Sequence, residues 1–188
     1  MYKSIEKDLI IDIGKKRYEH SLRVMEMAMK LAKIYDIDVE NARLAALLHD
    51  CGKLQGQTNL LKVAKDFDII IDNYMTYNGD LVHGPLGAYI AKTKYNIKNE
   101  EILNAIRYHT TGKKDMTTLE KIIYISDYIE LGRDFPGLRK MRRLSFKDLD
   151  RGLLMAMGST ISFLVKENKL IHPRTIEARN YLIMELGI

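Results

Sequence analysis

His49 and Asp50 stand side by side directly after the apolar residues 44–48. An apolar segment that enters a core does not normally end on an ionisable pair unless another group compensates it, because an unpaired buried carboxylate is very costly. A divalent cation is an effective compensator, and imidazole nitrogen and carboxylate oxygen suit zinc, iron and manganese. The pair therefore indicates a site for a divalent transition metal.

Two further ionisable side chains, His20 and Asp127, extend this pair from other segments of the chain. His20 is in register with the apolar residues 24, 27, 31 and 34 at helical spacing, so it should face inward. Asp127 follows residues 122–126, which are mostly isoleucine. A single buried histidine is more often a hydrogen-bonded core residue than a ligand, so the interpretation depends on the whole set. Two histidines and two carboxylates suit iron, manganese or zinc.

The elements that position these side chains are predicted to be helices, because apolar residues recur at intervals of three and four almost throughout. No alternating strand, repeat or linker interrupts this pattern. We therefore predict an all-α fold in which residues 1–188 form one compact helical bundle. Asp38 should cap one helix and Pro173 should open the last. The predicted helices span residues 17–35, 39–50, 59–68, 81–95, 100–109, 119–131, 146–165 and 173–186.

The composition narrows the class of partner and the compartment. The single cysteine excludes an internal disulfide and fits a reducing cytoplasm. No apolar run approaches the roughly 20 residues that span a bilayer, and the N-terminus lacks a signal-peptide core. The net charge of +5 is compatible with an anionic substrate, although a charged surface is the simpler interpretation. The basic residues 139–143 lack interleaved aromatics, so we do not expect a nucleic-acid partner, and the lack of a long apolar run argues against a membrane partner.

The order of these residues resembles the H…HD…D pattern of the HD-domain superfamily of metal-dependent phosphohydrolases. Longer segments resemble the successive motifs of one bacterial branch, the YqeK-type symmetric diadenosine tetraphosphate hydrolases. Cys51 and Leu131 depart from that branch, where a bulkier residue and a proline are expected. Cys51 is open to roles as ligand, nucleophile or packed core residue, of which the last is the simplest. The matching segments are residues 17–24 (RYEHSLRV), 49–53 (HDCGK), 83–88 (HGPLGA), 106–112 (IRYHTTG) and 126–137 (SDYIELGRDFPG).

The resemblance implies a ligand set and a metal. The first metal would be held by His20, His49, Asp50 and Asp127. His83 and His109 would hold a second metal or contact the scissile phosphate, with Asp50 as the bridging carboxylate, so that Asp50, His83 and His109 are the expected catalytic residues. The metal typical of the family is iron, here a di-iron centre, while the ligand chemistry leaves manganese or another divalent transition metal open.

Substrate contacts are predicted around these ligands. Lys53 and Arg133 closely follow Asp50 and Asp127 in sequence, and Thr110 follows His109. For Lys53 and Arg133, a solvated surface charge is the alternative. The start of the last helix offers free N–H groups that suit an anion, or it is simply capped. The resemblance implies that this segment closes over the nucleotide; its residues are Leu170, Ile171, His172, Pro173, Arg174 and Thr175.

The resemblance also implies the reaction, in which a metal-activated water cleaves the dinucleoside polyphosphate diadenosine tetraphosphate symmetrically into two ADP. Alternatives are an HD phosphohydrolase acting on another nucleotide (a nucleoside monophosphate, a deoxynucleotide or a guanosine alarmone), a nucleotide sensor without turnover, and a helical interaction module. Glu19 is either a surface charge or an orienting partner of His20. A stripe in residues 146–165 is core by default, or else the interface of a homodimer; it comprises Leu149, Leu153, Met157, Ile161 and Leu164.

Overall fold

A computed structural model describes residues 2–56 and 59–188. Those residues form α-helices and one short 3-10 helix (Gly79–Val82), and no β-strand occurs among them, so the predicted all-α class is confirmed. The helices are α1 (Tyr2–Ile13), α2 (Lys15–Ile34), α3 (Val39–Leu48), α4 (Leu60–Asp66), α5 (Asn73–Tyr77), α6 (His83–Thr93), α7 (Glu100–Tyr108), α8 (Thr118–Ile129), α9 (Leu138–Ser145), α10 (Leu149–Lys166) and α11 (Pro173–Leu186).

All eight predicted helices are present, and α11 has the predicted bounds. The prediction was wrong at the ends of α3 and α7, which stop before His49 and His109 instead of including Asp50 and His109. After α3 the chain tightens into a turn in which Cys51 N donates to Leu48 O, three residues earlier. Asp38 caps α3 as predicted, accepting from two backbone N–H groups of the first turn.

Three helices were missed by the sequence prediction, namely α1, α5 and α9. In α1 the buried residues Ile5, Leu9 and Ile13 are spaced by four, a helical signal that the alternating charges obscured. The basic run is part of α9, which buries Leu138 and Met141 and exposes Arg139, Lys140 and Arg143.

The core lies where α2, α3, α7 and α8 meet. Helix α2 packs against α3 and α8, and α7 packs against α3, α6 and α8. Large aliphatic side chains such as Leu48, Ile106 and Ile125 are fully buried in this centre. The same four helices, together with the start of α6, carry the ionisable side chains singled out in the sequence, so the frame fixes their positions.

The stripe on α10 divides into two parts. Leu149, Leu153 and Met157 are buried, as expected of core residues, whereas Ile161 and Leu164 are half-buried towards the end of the helix.

Among the described residues, none of the helices has both the length and the apolar character needed to cross a membrane.

The turn after α3 approaches α6 so closely that only glycine fits at position 52. A Cβ there would lie 2.2 Å from His83 O and 2.7 Å from Gly87 N, both backbone atoms. We expect Gly52→Ala to lower the free energy of unfolding by about 1–3 kcal/mol, because the backbone must shift. Gly158→Ala is the matched control, since nothing lies within 4 Å of a Cβ there and α10 is unstrained. Chemical denaturation of both variants measures this, and equal stability would contradict the packing argument.

Candidate metal centre

The predicted metal ligands converge from separate helices on one point. Asp50 belongs to two groups of side chains whose ligand atoms all lie within 4.8 Å of one another: His20, His49 and Asp50 in one, and Asp50, His83 and His109 in the other. Helix α2 supplies His20, the ends of α3 and α7 supply His49 and His109, and α6 begins at His83. The arrangement places Asp50 at the centre of both groups.

The two oxygens of Asp50 face different imidazoles. Oδ2 lies 3.6 Å from His49 Nε2, while Oδ1 lies 3.4 Å from His83 Nε2 and 3.6 Å from His109 Nε2. The Nε2 atoms of His83 and His109 are 3.0 Å apart. One carboxylate can therefore serve both groups at once.

Asp127, on α8, joins the first group through His20. Its Oδ1 lies 3.0 Å from His20 Nε2. Burial alone would raise the pKa of Asp127, but the hydrogen bond from His20 holds that pKa far below its usual range. Asp127 is thus an ionised oxygen donor beside His20.

Three of the histidines share a local construction. His49 and His109 are the C-cap residues of α3 and α7, and His83 follows the 3-10 helix. The Nδ1 atom of each contacts the backbone carbonyl oxygen three residues earlier, at 2.7 Å for His49 and His109. A carbonyl can only accept, so Nδ1 carries the proton and donates, and in a neutral imidazole Nε2 then has the free lone pair. The last carbonyls of a helix lack partners within it, so these bonds also complete the helix ends.

Electrostatics keep these groups in the protonation states that a metal requires. Burial lowers the pKa of His49 to about 4, and burial also holds the pKa of His83 well below its usual range. Burial would raise the pKa of Asp50, but the opposite charge of Lys53, 3.2 Å away, acts against this, and the pKa lies well below its usual range. Neutral imidazoles and an ionised carboxylate are the ligand forms that bind a metal.

Unsatisfied polar atoms show that the donor set fits a cation. His49 Nε2 and Asp50 Oδ1 are buried and have no hydrogen-bond partner among the described residues. The facing Nε2 atoms of His83 and His109 have no proton to share when both donate from Nδ1. Orphaned polar atoms of this kind are rare in native interiors. Divalent transition metals at the two groups of donors would satisfy these nitrogen and oxygen atoms.

Cationic side chains surround the mouth of the centre, a cleft of about 790 Å³. Arg17 Nη1 donates to Asp50 Oδ2 over 2.6 Å, and Lys53 Nζ lies 3.2 Å from Asp50 Oδ1 as an ion pair without hydrogen-bond geometry. Arg133 Nη2 donates to Asp127 Oδ1 over 2.9 Å. Sequence reasoning selected Lys53 and Arg133 but missed Arg17, although its position three residues before His20 places both on one helix face. The cleft is lined by the cations Lys15, Lys16, Arg17, Arg23, Lys53 and Arg133, together with Asp50, Asp127 and Glu130.

The other predicted substrate residues are Thr110, in the turn that follows α7, and residues 170–175, which lead into α11. Thr110 Oγ1 is 3.4 Å from His83 Nε2, so Thr110 reaches the centre. Of the six residues 170–175, none is among the described residues that line the cleft. Thr175 donates to Thr111 O over 2.9 Å, which joins the start of α11 to that turn. His172 caps α11 and pairs with Asp72 over 2.9 Å, the capping role that the sequence left open.

Two neighbours of the ligands prove to have local roles. Glu19 is half-exposed and faces Lys15 across 4.0 Å, whereas the carboxylate beside Nδ1 of His20 is that of Glu130, 110 residues away in the chain. Cys51 is fully buried, contacts Gly87 O at 3.2 Å, and has a pKa raised by burial. A buried thiol of this kind is a packed core residue, the simplest of the three roles considered for it.

An all-helical frame that gathers histidines and aspartates around one shared carboxylate defines a candidate metal-dependent hydrolase. The family profile described as HD domain matches residues 17–132. The chain therefore belongs to the HD-domain family, and the resemblance found in the sequence is confirmed.

Relatives match almost the whole chain. The symmetrical bis(5'-nucleosyl)-tetraphosphatase of Halalkalibacterium halodurans is 39% identical over 169 residues, which cover 90% of each chain. The protein of the same name from Bacillus subtilis is 36% identical over 167 residues, 89% of each chain. A crystal structure of a predicted HD superfamily hydrolase involved in NAD metabolism, from Clostridium acetobutylicum, is 43% identical, with a TM-score of 0.94 over 98% of each chain.

Removal of the shared carboxylate should affect both groups of donors. We expect Asp50→Asn to retain the fold but to lose stoichiometric metal after loading with ferrous iron or manganese, because both groups of donors lose their common anionic ligand. Asp36→Asn makes the same charge change at an exposed turn position with φ 52°, which asparagine adopts readily. Elemental analysis of the loaded proteins measures the difference, and a full metal content in Asp50→Asn would rule out this shared role.

Proposed function

We propose that the protein is a metal-dependent phosphohydrolase that cleaves diadenosine tetraphosphate symmetrically into two ADP molecules. The proposal is carried by one combination of observations. Relatives named symmetrical bis(5'-nucleosyl)-tetraphosphatase align over 90% of the chain, and this chain gathers a full set of nitrogen and oxygen donors around Asp50.

The first metal would be held by His20, His49, Asp50 and Asp127. Asp50, His83 and His109 would hold a second metal or contact the scissile phosphate. The two groups that share Asp50 support this division. Iron, as a di-iron centre, is the metal we propose, and the same mixed donor set would accept manganese.

The chemistry that such a centre supplies is a coordinated water whose pKa falls from ~15.7 towards ~7, with positive charge to offset the reacting phosphate. The side chains of the cleft would bind and orient the rest of the polyphosphate. Arg17 and Arg133 can each present paired donors to phosphate oxygens, and Lys53 adds a point charge beside Asp50. Thr110, next to His83 Nε2, can donate its hydroxyl proton to a phosphate oxygen.

The nucleoside end of the substrate is assigned to the segment of residues 170–175. The bond from Thr175 to Thr111 ties this segment to the turn after His109 and so supports the assignment. Arg174 lies over the ring of Tyr108 and lines a second cavity of about 780 Å³. The stacked rings of Phe67 and Tyr89 line the same cavity and offer flat apolar surface to a base.

We further propose that residues 1–188 form a single HD domain, because α1 packs on α2, α10 packs on α8 and α11 packs on α10.

A cytoplasmic location is supported by the single cysteine, which is free and buried. The exposed side chains of Phe163 and Val165 near the end of α10 support a homodimer interface there.

Product analysis tests the reaction itself. Purified protein loaded with ferrous iron should convert diadenosine tetraphosphate into ADP alone, because symmetric attack splits the chain of four phosphates between the second and third. Chromatographic separation of the products measures this. ATP together with AMP would refute symmetric cleavage, and binding without any product would favour a sensor.

The cleft cations should contribute to turnover without contributing to metal binding. We expect Lys53→Met to lower kcat/KM for diadenosine tetraphosphate by about 10- to 100-fold, the worth of one charge-assisted hydrogen bond to phosphate. Lys62→Met removes an exposed lysine on α4 and should leave kcat/KM unchanged. Steady-state kinetics with metal content measured in parallel separates the two effects, and unchanged kinetics in Lys53→Met would remove this residue from the substrate site.

A further inference from the structure

His20 is held differently from the other three histidines of the centre. His49, His83 and His109 each use a backbone carbonyl at the end of a helical element. His20 lies inside α2, where the carbonyls of the preceding turn already accept N–H groups of the helix. Its Nδ1 instead lies 3.3 Å from Oε1 of Glu130, which follows α8. His20 is therefore oriented by a side chain where its counterparts are oriented by the backbone.

Glu130 is itself fixed in place. Its side chain is only 2% exposed, and its Oε2 accepts from Arg23 Nε over 2.7 Å and from the Gly132 backbone N–H over 2.5 Å. A Cβ at Gly132 would lie 2.6 Å from Arg23 Nε, so glycine leaves room for this pairing. Two donors thus occupy one oxygen of Glu130, and the other oxygen faces His20.

We propose that Glu130 is a positioning residue for the metal centre. By accepting from Nδ1 of His20, it holds Nε2 of that ring towards Asp127 and the first group of donors, where a bound metal would replace the hydrogen bond between Nε2 and Asp127. The inference rests on the proposed metal site and assigns a role beyond it, since Glu130 would bind no metal itself. Carboxylates that orient a ligating histidine in this way are worth about 10- to 100-fold in metal affinity.

Glutamine at this position would reverse the arrangement. An amide has one acceptor and one donor end, whereas the carboxylate accepts at both. The donors Arg23 Nε and Gly132 N would claim the amide oxygen, which turns the NH2 group towards His20 Nδ1. That contact favours the tautomer with the proton on Nε2, which cannot bind a metal. A nearly isosteric change should therefore weaken metal binding through the ring orientation and tautomer of one ligand.

The test compares Glu130→Gln with Glu19→Gln in the whole chain of residues 1–188. Glu19 adjoins His20 in sequence but faces Lys15 at the surface, so its variant makes the same charge change without touching the ring. Zinc, which is diamagnetic, is the probe, and competition with a chromophoric chelator measures its affinity. We expect affinity to fall by about 10- to 100-fold in Glu130→Gln and to be unchanged in Glu19→Gln.

A spectroscopic readout separates positioning from a general loss of structure. In the zinc-loaded wild type, 15N-resolved imidazole spectra should show an exchange-protected Nδ1–H for His20, assigned by its absence in His20→Asn. In Glu130→Gln at saturating zinc, this signal should be lost or move upfield, while the Nδ1–H signals of His49, His83 and His109 persist. A merely structural role of Glu130 would disturb all four signals together.

Each outcome decides a separate question. Wild-type affinity in Glu130→Gln, or a rapidly exchanging His20 Nδ1–H in the wild type, overturns the positioning role while leaving the metal site intact. A wild-type protein that binds neither zinc nor iron overturns the metal site and this role with it. If Glu130→Gln does not fold, Arg23→Met keeps the carboxylate but removes one anchor. We expect Arg23→Met to lower zinc affinity by less than Glu130→Gln does. If Arg23→Met keeps wild-type zinc affinity although its His20 Nδ1–H exchanges rapidly, the proposal is overturned.

Discussion

The ionised carboxylate of Asp50, buried among imidazoles, is the interaction on which the rest of the structure depends. A carboxylate in that position is expensive unless it is paired. Arg17 and Lys53 pair with it at the mouth, and on the inside it faces the Nε2 lone pairs of His49, His83 and His109, where a bound metal would complete the compensation. Its partners come from α2, α3, α6 and α7, so the mutual packing of those helices and the position of this charge specify each other.

Helix ends perform most of the positioning. His49 and His109 each occupy a C-cap, and His83 follows the 3-10 helix, so every one of these rings can satisfy a terminal carbonyl and point Nε2 at Asp50. Each imidazole donates from Nδ1 to a carbonyl at the helix end and keeps the lone pair of Nε2 for a metal. One ring therefore meets both requirements. Gly52 permits the turn after α3 to touch the start of α6, which brings two of these ends together.

The sequence predicted the parts of the site that depend on local pattern. The adjacency of His49 and Asp50, the inward register of His20 and the position of Asp127 after isoleucine-rich residues all follow from periodicity, and the resemblance added His83 and His109. Glu130 could not be assigned to His20 in this way, because their contact spans 110 residues and depends on how α2 meets α8. Likewise α9 was missed because its basic surface outweighed the signal of its two buried apolar side chains, Leu138 and Met141.

The centre has two sides that are held by different forces. On the buried side, ligands are anchored to backbone carbonyls, which move only if a helix end moves. On the cleft side, His20 and Asp127 are held by charged side chains, Glu130 and Arg133, the latter half-exposed. Ion pairs near solvent are weaker and more easily screened than buried bonds to the backbone. The ion pair of Asp127 with the half-exposed Arg133, on the side of the centre that an anionic substrate would approach, can therefore rearrange around that substrate, whereas the buried Glu130 stays fixed.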